Sequence, residues 1–147
     1  MGNHCCTATY DCIEDRKLRH CDGKNVPRFV PDVRRCKVVA VYDGDTITVA
    51  ARLARRGSPH LFRVRLRGID SPEMRGSTSD EKQAATLSRD YLRTQILGEC
   101  ITLKNIGTEK YGRLLATVFH RGRDINQLII DHGHAKPYDG GTKTPFI

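Results

Sequence analysis

The feature that most constrains this fold is the stretch 62–73, which reads FRVRLRGIDSPE. Three apolar residues alternate with three arginines from Phe62 to Arg67, and a period of two predicts a strand with one apolar face and one basic face. The strand ends at Gly68, and the carboxylates of Asp70 and Glu73 follow closely. Acids beside arginines at a strand end predict a metal site next to a phosphate-binding site.

Two more strands precede this stretch and are joined by a hairpin. Apolar residues alternate through 37–42 and again through 46–53, which is typical of strands. The dipeptide Asp43-Gly44 between them is a strong hairpin signal, so we expect the second strand to begin at Asp45 or Thr46. A polar loop then leads into the third strand at about His60, which completes a meander.

A helix and two further strands follow. Thr78 and Glu81 fit a capping box, and the helix they open is expected to run to about Leu97. Its buried stripe is predicted from three- and four-residue spacing as Ala84, Leu87 and Tyr91 with Ala85, Leu92 and Ile96. Strands are predicted near 101–103 and 114–118, and Asp124 is a candidate N-cap for a short second helix.

This order of elements predicts a mainly β fold with helices (α+β). Five short strands, with a helix inserted after the third, suit a closed barrel of the oligonucleotide-binding type with two helices. The length and the 38% content of apolar residues suit one compact domain, which we assign to residues 36–147. Residues 1–35 form a polar, cysteine-rich tail and linker, which we expect to be poorly ordered.

Charge and hydropathy restrict the partners. A net charge of +8 and a pI near 9.4 favour polyanionic partners, and nucleic acid is the leading candidate. No apolar run is long enough to span a bilayer, and residues 1–35 lack the apolar core of a signal peptide. We therefore expect an intracellular protein with reduced thiols, although six cysteines would also permit disulfides.

The N-terminal residues allow two further hypotheses. Gly2 could accept a myristoyl chain and Cys5 and Cys6 palmitoyl chains, and two lipids would anchor the chain stably to a membrane surface. Cys6 stands where the lipidation motif usually has Ser or Thr, which counts against this hypothesis. A zinc site is the weaker alternative, because its candidate ligands lack the usual spacing: His4, Cys5, Cys6, Cys12, His20 and Cys21.

Three carboxylates, Asp45, Asp70 and Glu73, come from two separate strand ends. Oxygen ligands without histidine or thiolate select calcium, magnesium or manganese. Arg65 and Arg113 could bind a phosphate beside such an ion, since a guanidinium matches phosphate with two parallel hydrogen bonds. The alternatives are structural: a simple turn at Asp43-Gly44, a loop cap at Asp70, a solvated Glu73 and a basic strand face.

Three ordered motifs make a family resemblance specific: residues 43–46 (DGDT), 65–73 (RLRGIDSPE) and 110–113 (KYGR). With the order of strands and helices, they resemble the staphylococcal nuclease (thermonuclease) family over about residues 36–138. The resemblance implies a calcium-dependent hydrolase on an oligonucleotide-binding barrel. Such an enzyme cuts DNA and RNA with little sugar specificity and leaves 3′-phosphate and 5′-hydroxyl ends.

The resemblance also implies residue roles. Ca²⁺ would be bound by the carboxylates of Asp45 and Asp70 and by the backbone carbonyl of Ser71, which replaces a threonine of the prototype. Glu73 would hold the attacking water as general base. The remaining roles are phosphate binding by Arg65 and Arg113, contact with a neighbouring phosphate by Lys110 and Tyr111, and base stacking by Tyr138.

Some expectations stay open at this point. Tyr138 matches its counterpart only loosely and could instead close the barrel. The Met1-Gly2 start with nearby cysteines is similar to that of lipid-anchored plant nucleases of the family. The nine residues after Tyr138 are too few for the last helix of longer members, so the C-terminal edge is expected to differ. The alternative function is a non-catalytic nucleic-acid-binding module, tethered to a membrane through the acylated tail. We expect a monomer, and no stretch indicates a protein partner.

Overall fold

The computed structural model describes residues 16–76, 78–109, 111–142 and 146. The strands are β1 (Arg35–Asp43), β2 (Thr46–Arg52), β3 (Pro59–Leu66), β4 (Ile69–Asp70), β5 (Cys100–Thr108), β6 (Leu114–His120), β7 (Arg123–Asp124) and β8 (Lys136–Pro137). The helices are α1 (Ser79–Ile96) and α2 (Ile125–Asp131).

The five long strands close into a barrel. They follow the order β3-β2-β1-β5-β6 with antiparallel neighbours, and β3 then pairs in parallel with β6 through Val64 opposite Leu114. The β1–β2 hairpin turns at Gly44 and Asp45, so β2 begins at Thr46 as predicted. The predicted mainly β fold, with five long strands and two helices, is confirmed. The two-residue strands β4, β7 and β8 were not predicted, because so short a pairing leaves no periodicity to detect.

Both helices begin where the sequence predicts. The Thr78 side chain accepts a hydrogen bond from the Glu81 backbone N–H, and the Glu81 carboxylate accepts one from the Thr78 N–H, which confirms the capping box. The Asp124 side chain accepts from the Gln127 N–H at the start of α2. These caps satisfy N–H groups that a helix start otherwise leaves unpaired.

The core fills the barrel and the side that α1 covers. Val38, Ile47, Val49, Val64 and Leu66 are among its fully buried side chains. These are inward positions of alternating strands, which confirms the period-two prediction for β2 and β3. In β1 the prediction is wrong beyond Val38, because a register shift between Val38 and Ala40 leaves Ala40 and Tyr42 exposed, and Val41 packs against the core instead.

The prediction of the helix stripe is wrong at one position. Leu87 is 56% exposed, whereas Ser88 is fully buried with Ala85, Leu92 and Ile96. The Ser88 hydroxyl donates to the His134 carbonyl at 2.7 Å, so the buried hydroxyl has a hydrogen-bond partner in the core. The close approach of α1 to the β1–β2 hairpin requires this small residue, as shown below.

The described part of the N-terminal segment lies on the surface. It includes a helical turn at residues 16–18, and Pro31 is its first buried residue. Cys21, Cys36 and Cys100 form no disulfide within the described residues. No helix in the described ranges is long and apolar enough to cross a membrane. The lipidation residues Gly2, Cys5 and Cys6, and most candidate zinc ligands, lie outside the described residues, so those hypotheses stay predictions.

Candidate functional site

The barrel brings the two predicted metal-binding carboxylates to the same end. Asp45 lies in the β1–β2 turn, and Asp70 ends the short strand β4 just after β3. The Leu66 N–H donates to the Asp45 carbonyl at 2.8 Å, which ties the turn to the end of β3. Asp45 and Asp70 are each only 6% exposed, so both carboxylates are largely removed from water.

The Arg65 guanidinium joins these two carboxylates. Its Nη2 lies 3.0 Å from Oδ2 of Asp45 and 3.1 Å from Oδ1 of Asp70. The same nitrogen donates to the Ile69 carbonyl at 3.1 Å. Contact with one shared nitrogen places the two carboxylates close together, which is the spatial arrangement that the sequence motifs predicted.

The electrostatics of Asp45 favour a further cation. Burial is the main cause that raises the pKa of the Asp45 carboxyl to about 7, and the neighbouring Asp43 carboxylate raises it as well. Arg65 and the Thr46 hydroxyl, which donates to Asp45 at 2.9 Å, act in the opposite direction. The raised pKa means that the anionic form of Asp45 is poorly stabilised by the protein alone.

The donor set fits a hard divalent ion. Besides the two buried carboxylates, the site contains Ser71, which is 3% exposed. The backbone carbonyl of Ser71 could serve as a third oxygen ligand, since calcium also binds backbone carbonyls. Within the described residues, no group of three or more His, Cys, Asp or Glu side chains is arranged as a metal centre. Asp45 and Asp70 would give such an ion two carboxylates, and backbone and water oxygens could complete its shell, as they commonly do for calcium.

Close packing of α1 fixes the turn that carries Asp45. A Cβ atom on Gly44 would lie 1.8 Å from Ser88 Oγ, 2.9 Å from Ser88 Cβ and 2.8 Å from Ser71 Cβ. These contacts are too short for any side chain, so Gly44 lets the hairpin, α1 and the Ser71 loop meet. Ser88 was not predicted, because only its tertiary contact distinguishes it from other polar residues of the helix.

A cleft of about 750 Å³ opens beside Arg65, which contacts both carboxylates. Its lining includes the predicted site residues Arg65, Glu73, Tyr111 and Tyr138. The Arg65 Cζ lies 5.7 Å from the centroid of the Tyr138 ring, close enough for a cation–π contact. Tyr138 thus lies at the site, where its hydroxyl donates to the Gly141 carbonyl at 2.9 Å. The cleft can accept an anionic chain between an arginine and two tyrosines.

Arg113 has a different local partner. Its Nε forms an ion pair with Glu109, whose side chain is 17% exposed and which also lines the cleft. The 109–113 loop is closed by the Gly112 N–H donating to the Glu109 carbonyl at 3.0 Å. Glu109 was not predicted as this partner, because a four-residue spacing indicates an ion pair on a helix and residues 109–113 lie in a loop. Lys110 lies outside the described residues.

Comparison with known proteins supports the family resemblance. The family "Staphylococcal nuclease homologue" matches residues 63–144, which include Arg65, Asp70 and Glu73. An uncharacterized endonuclease of Haemophilus influenzae is 31% identical over 111 residues, which are 76% of this chain and 56% of that protein.

Two further relatives are similar at about the same sequence identity. An uncharacterized protein of Bacillus anthracis is 32% identical over 134 residues, which are 83% of this chain and 60% of that protein. A staphylococcal-like nuclease (CAN1) of Arabidopsis thaliana is 29% identical over 77 residues, which are 52% of this chain and 22% of that protein. The chain therefore spans less than two thirds of each relative. The family match covers more than half of this chain, which accordingly belongs to the staphylococcal nuclease family.

Proposed function

We propose that this protein is a calcium-dependent nuclease that hydrolyses phosphodiester bonds of DNA and RNA. Its products would carry 3′-phosphate and 5′-hydroxyl ends. One observation carries the proposal: the Arg65 guanidinium, fixed between two buried carboxylates, lies at the wall of a cleft that Glu73 also lines. This arrangement combines a candidate ion site, a phosphate ligand and a candidate base at one end of the barrel.

Arg65 is suited to orient the scissile phosphate. Its contacts with Asp45, Asp70 and Ile69 all use Nη2, and a guanidinium has five N–H donors. We infer that the remaining donors bind the non-bridging phosphate oxygens. A donor that is already fixed stabilises developing charge better than one that must reorganise.

The bound ion would act beside Arg65. Asp45, Asp70 and the Ser71 carbonyl are the groups that would hold it. A calcium ion there would supply positive charge to the phosphate oxygens and help to bring water to the phosphorus atom.

Glu73 is the candidate general base. Its side chain is exposed and lines the cleft, so a water molecule can lie between it and a bound phosphate. In the proposed step the carboxylate takes a proton from this water, the water oxygen bonds to phosphorus, and the bond to the 5′ oxygen breaks. The departing 5′ oxygen takes a proton from solvent water, which yields the 5′-hydroxyl and leaves the phosphate on the 3′ side.

Arg113 would join the site by exchanging its partner. In the free protein it pairs with Glu109 at the cleft. A dianionic transition state is a stronger partner than one carboxylate, so we expect Arg113 to move to the phosphate during the reaction. Lys110 and Tyr111 are proposed to contact the neighbouring phosphate, and Tyr138 to stack on a base.

Cleavage of end-labelled single-stranded DNA and RNA tests this proposal. Wild-type protein should cut both substrates in Ca²⁺ and should not cut them in EGTA. The cleavage products should accept label from a 5′-kinase without prior phosphatase treatment. Glu73→Gln and Arg113→Ala should lower kcat by about 10² to 10⁴ fold, as expected for loss of a base or a charge-stabilising group. Asp90→Asn, an exposed change on α1, is the matched control for removal of a carboxylate.

Two outcomes would refute the proposal. Equal cutting by wild type, Glu73→Gln and Arg113→Ala would contradict the assigned roles. Salt-sensitive binding of nucleic acid without turnover in calcium, magnesium or manganese would support the non-catalytic binding module instead.

A further inference from the structure

A second groove lies on the outside of the barrel and contains a basic patch. Its volume is about 570 Å³, and its lining includes Arg35, Lys104, Phe119 and Arg121, which we call the basic strip. Arg35 of β1 lies opposite Thr102 of β5, which lies opposite Phe119 of β6. Three adjacent strands therefore present these side chains on the same outer sheet face.

The basic strip has the chemistry of a surface that binds single-stranded nucleic acid. The Lys104 Nζ lies 4.2 Å from the centroid of the Phe119 ring, and Arg121 is 77% exposed. Neither Arg35 nor Lys104 forms an ion pair with a carboxylate of the described residues. Cations beside an aromatic ring are the combination that binds phosphates and stacks bases with little sequence preference.

One acidic residue reduces the charge of this groove. Glu99 lies 3.2 Å from Nε2 of His120 and 3.5 Å from Nη2 of Arg121. It partly neutralises Arg121 but leaves Arg35 and Lys104 for another anion. Because Glu99 is the one acid among the described residues that line the groove, its removal should strengthen the binding of a polyanion.

The strand β6 connects the basic strip to the cleft. Its outward side chains are Leu115, which lines the cleft, then Thr117, then Phe119 in the strip. Leu115 and Phe119 are about 13 Å apart at the usual rise of a strand. Arg67, which lines the cleft, donates to the carbonyls of Asn105 and Leu115 and so holds β5 against this part of β6.

We propose that the basic strip is a second binding site for the single-stranded nucleic acid whose scissile phosphate lies in the cleft. The strand would leave the cleft along the outer face of β6, and Arg35 and Lys104 would contact phosphates a few nucleotides away. This inference rests on the proposed function for the identity of the ligand. A nucleic acid is favoured over an anionic membrane because the strip continues the line of the cleft, as a linear polymer requires.

Fluorescence anisotropy in EGTA tests the strip without any turnover. The probes are labelled oligothymidylates of 2 and 20 nucleotides, and the variant is Arg35→Ala/Lys104→Ala. The matched control is Arg55→Ala/Arg56→Ala, which removes the same charge from an exposed loop between β2 and β3. The strip variant should bind the 20-mer about tenfold more weakly than wild type and lower the salt slope by about 1.4, for two lost phosphate contacts.

The short probe and a second variant sharpen the test. The 2-mer should bind wild type and the strip variant equally, because two nucleotides are too short to reach from the cleft to the strip. Glu99→Gln should tighten binding of the 20-mer. Equal 20-mer affinity and salt slope in the strip variant and the loop control would overturn the proposal. Loss of binding to phosphatidylserine vesicles with unchanged 20-mer affinity would overturn it in favour of a lipid surface.

The two proposals fail in different ways. If the protein does not cut DNA in calcium but the strip variant still loses 20-mer affinity, the nuclease proposal fails and the second binding site stands. If the strip proposal fails, wild type and the strip variant should cut the 20-mer with equal KM and kcat. If both proposals hold, the strip variant should show a raised KM for the 20-mer at nearly unchanged kcat.

Discussion

Gly44→Ala should destabilise the protein through one steric contact that the structure defines. The new Cβ would lie 1.8 Å from Ser88 Oγ, and the two Cβ atoms of Ser88 and Ser71 would be 2.9 and 2.8 Å away. Rotation can move the Ser88 hydroxyl, but the positions of the two Cβ atoms are set by the backbone. Helix α1 or the Ser71 loop must therefore move.

The magnitude follows from these two effects. Inserting a methyl group into a well-packed region costs about 1 to 3 kcal/mol. Rotation of the Ser88 hydroxyl breaks its 2.7 Å hydrogen bond to the His134 carbonyl, which costs about 1 kcal/mol more. We expect a total loss of roughly 2 to 4 kcal/mol in the free energy of unfolding, and a smaller stabilisation by calcium because Ser71 and Asp70 are adjacent.

Urea unfolding followed by far-UV circular dichroism measures this loss, since the chain has no tryptophan. In a Ser88→Ala background the hydroxyl contact is absent, so Gly44→Ala should cost about 1 kcal/mol less there than in wild type. Gly57→Ala is the control, because a Cβ there meets only ordinary contacts of 3.5 Å or more. A Gly44→Ala cost below about 0.5 kcal/mol, or no coupling to Ser88, would refute the reasoning.

Three other perturbations have defined outcomes. Asn126→Ala should lower the free energy of unfolding in urea by about 3 kcal/mol, because the buried side chain accepts from the Val118 N–H at 3.0 Å and donates to the Arg67 carbonyl at 2.7 Å. A loss below about 1 kcal/mol would contradict this. In EGTA, the folded protein binds a proton at Asp45 more tightly than the unfolded chain does, since the pKa is raised to about 7. The free energy of unfolding should thus fall as pH rises from about 4 to about 7, and Asp45→Asn should remove much of this fall. Parallel pH profiles of Tm for wild type and Asp45→Asn would refute this prediction. Burial is the main cause that raises the pKa of the Cys36 thiol to about 12, whereas Cys100 is exposed. Iodoacetamide at pH 8, followed by mass-spectrometric mapping, should therefore label Cys100 well before Cys36. Equal labelling rates would contradict that order.

Most of the fold could be predicted from the sequence, because hydrophobic periodicity and helix capping are local signals. The alternation of Phe62 to Arg67 and the capping box at Thr78 both correspond to observed elements. The prediction that Leu87 is buried failed because the helix period alone does not say which of two adjacent stripes faces the barrel. Packing against the hairpin selects the stripe with Ser88, whose small side chain allows the close approach.

Gly44 shows how a correct prediction can have a different physical cause. The Asp43-Gly44 dipeptide predicted a hairpin through the preference of glycine for positive φ. Gly44 is not among the glycines with positive φ, so a side chain is excluded there by α1 and not by the turn. Sequence patterns contain the dipeptide but not the helix that makes the glycine necessary.

The candidate site could be predicted where its residues lie in short motifs. Asp45, Arg65 and Asp70 were identified from two such motifs, and the structure brings them into contact. The ion pair of Arg113 with Glu109 was missed, because sequence spacing in a loop does not fix which partner an arginine takes. The basic strip was also missed, because its residues come from three strands and form no local pattern.

Calcium titration by isothermal calorimetry tests the central claim most directly, that Asp45 and Asp70 share one divalent ion. The account predicts one saturable calcium site per chain in wild type and in the Asp90→Asn control, and no such site in Asp45→Asn or Asp70→Asn. The absence of saturable binding in wild type, or an unchanged affinity in Asp70→Asn, would contradict it.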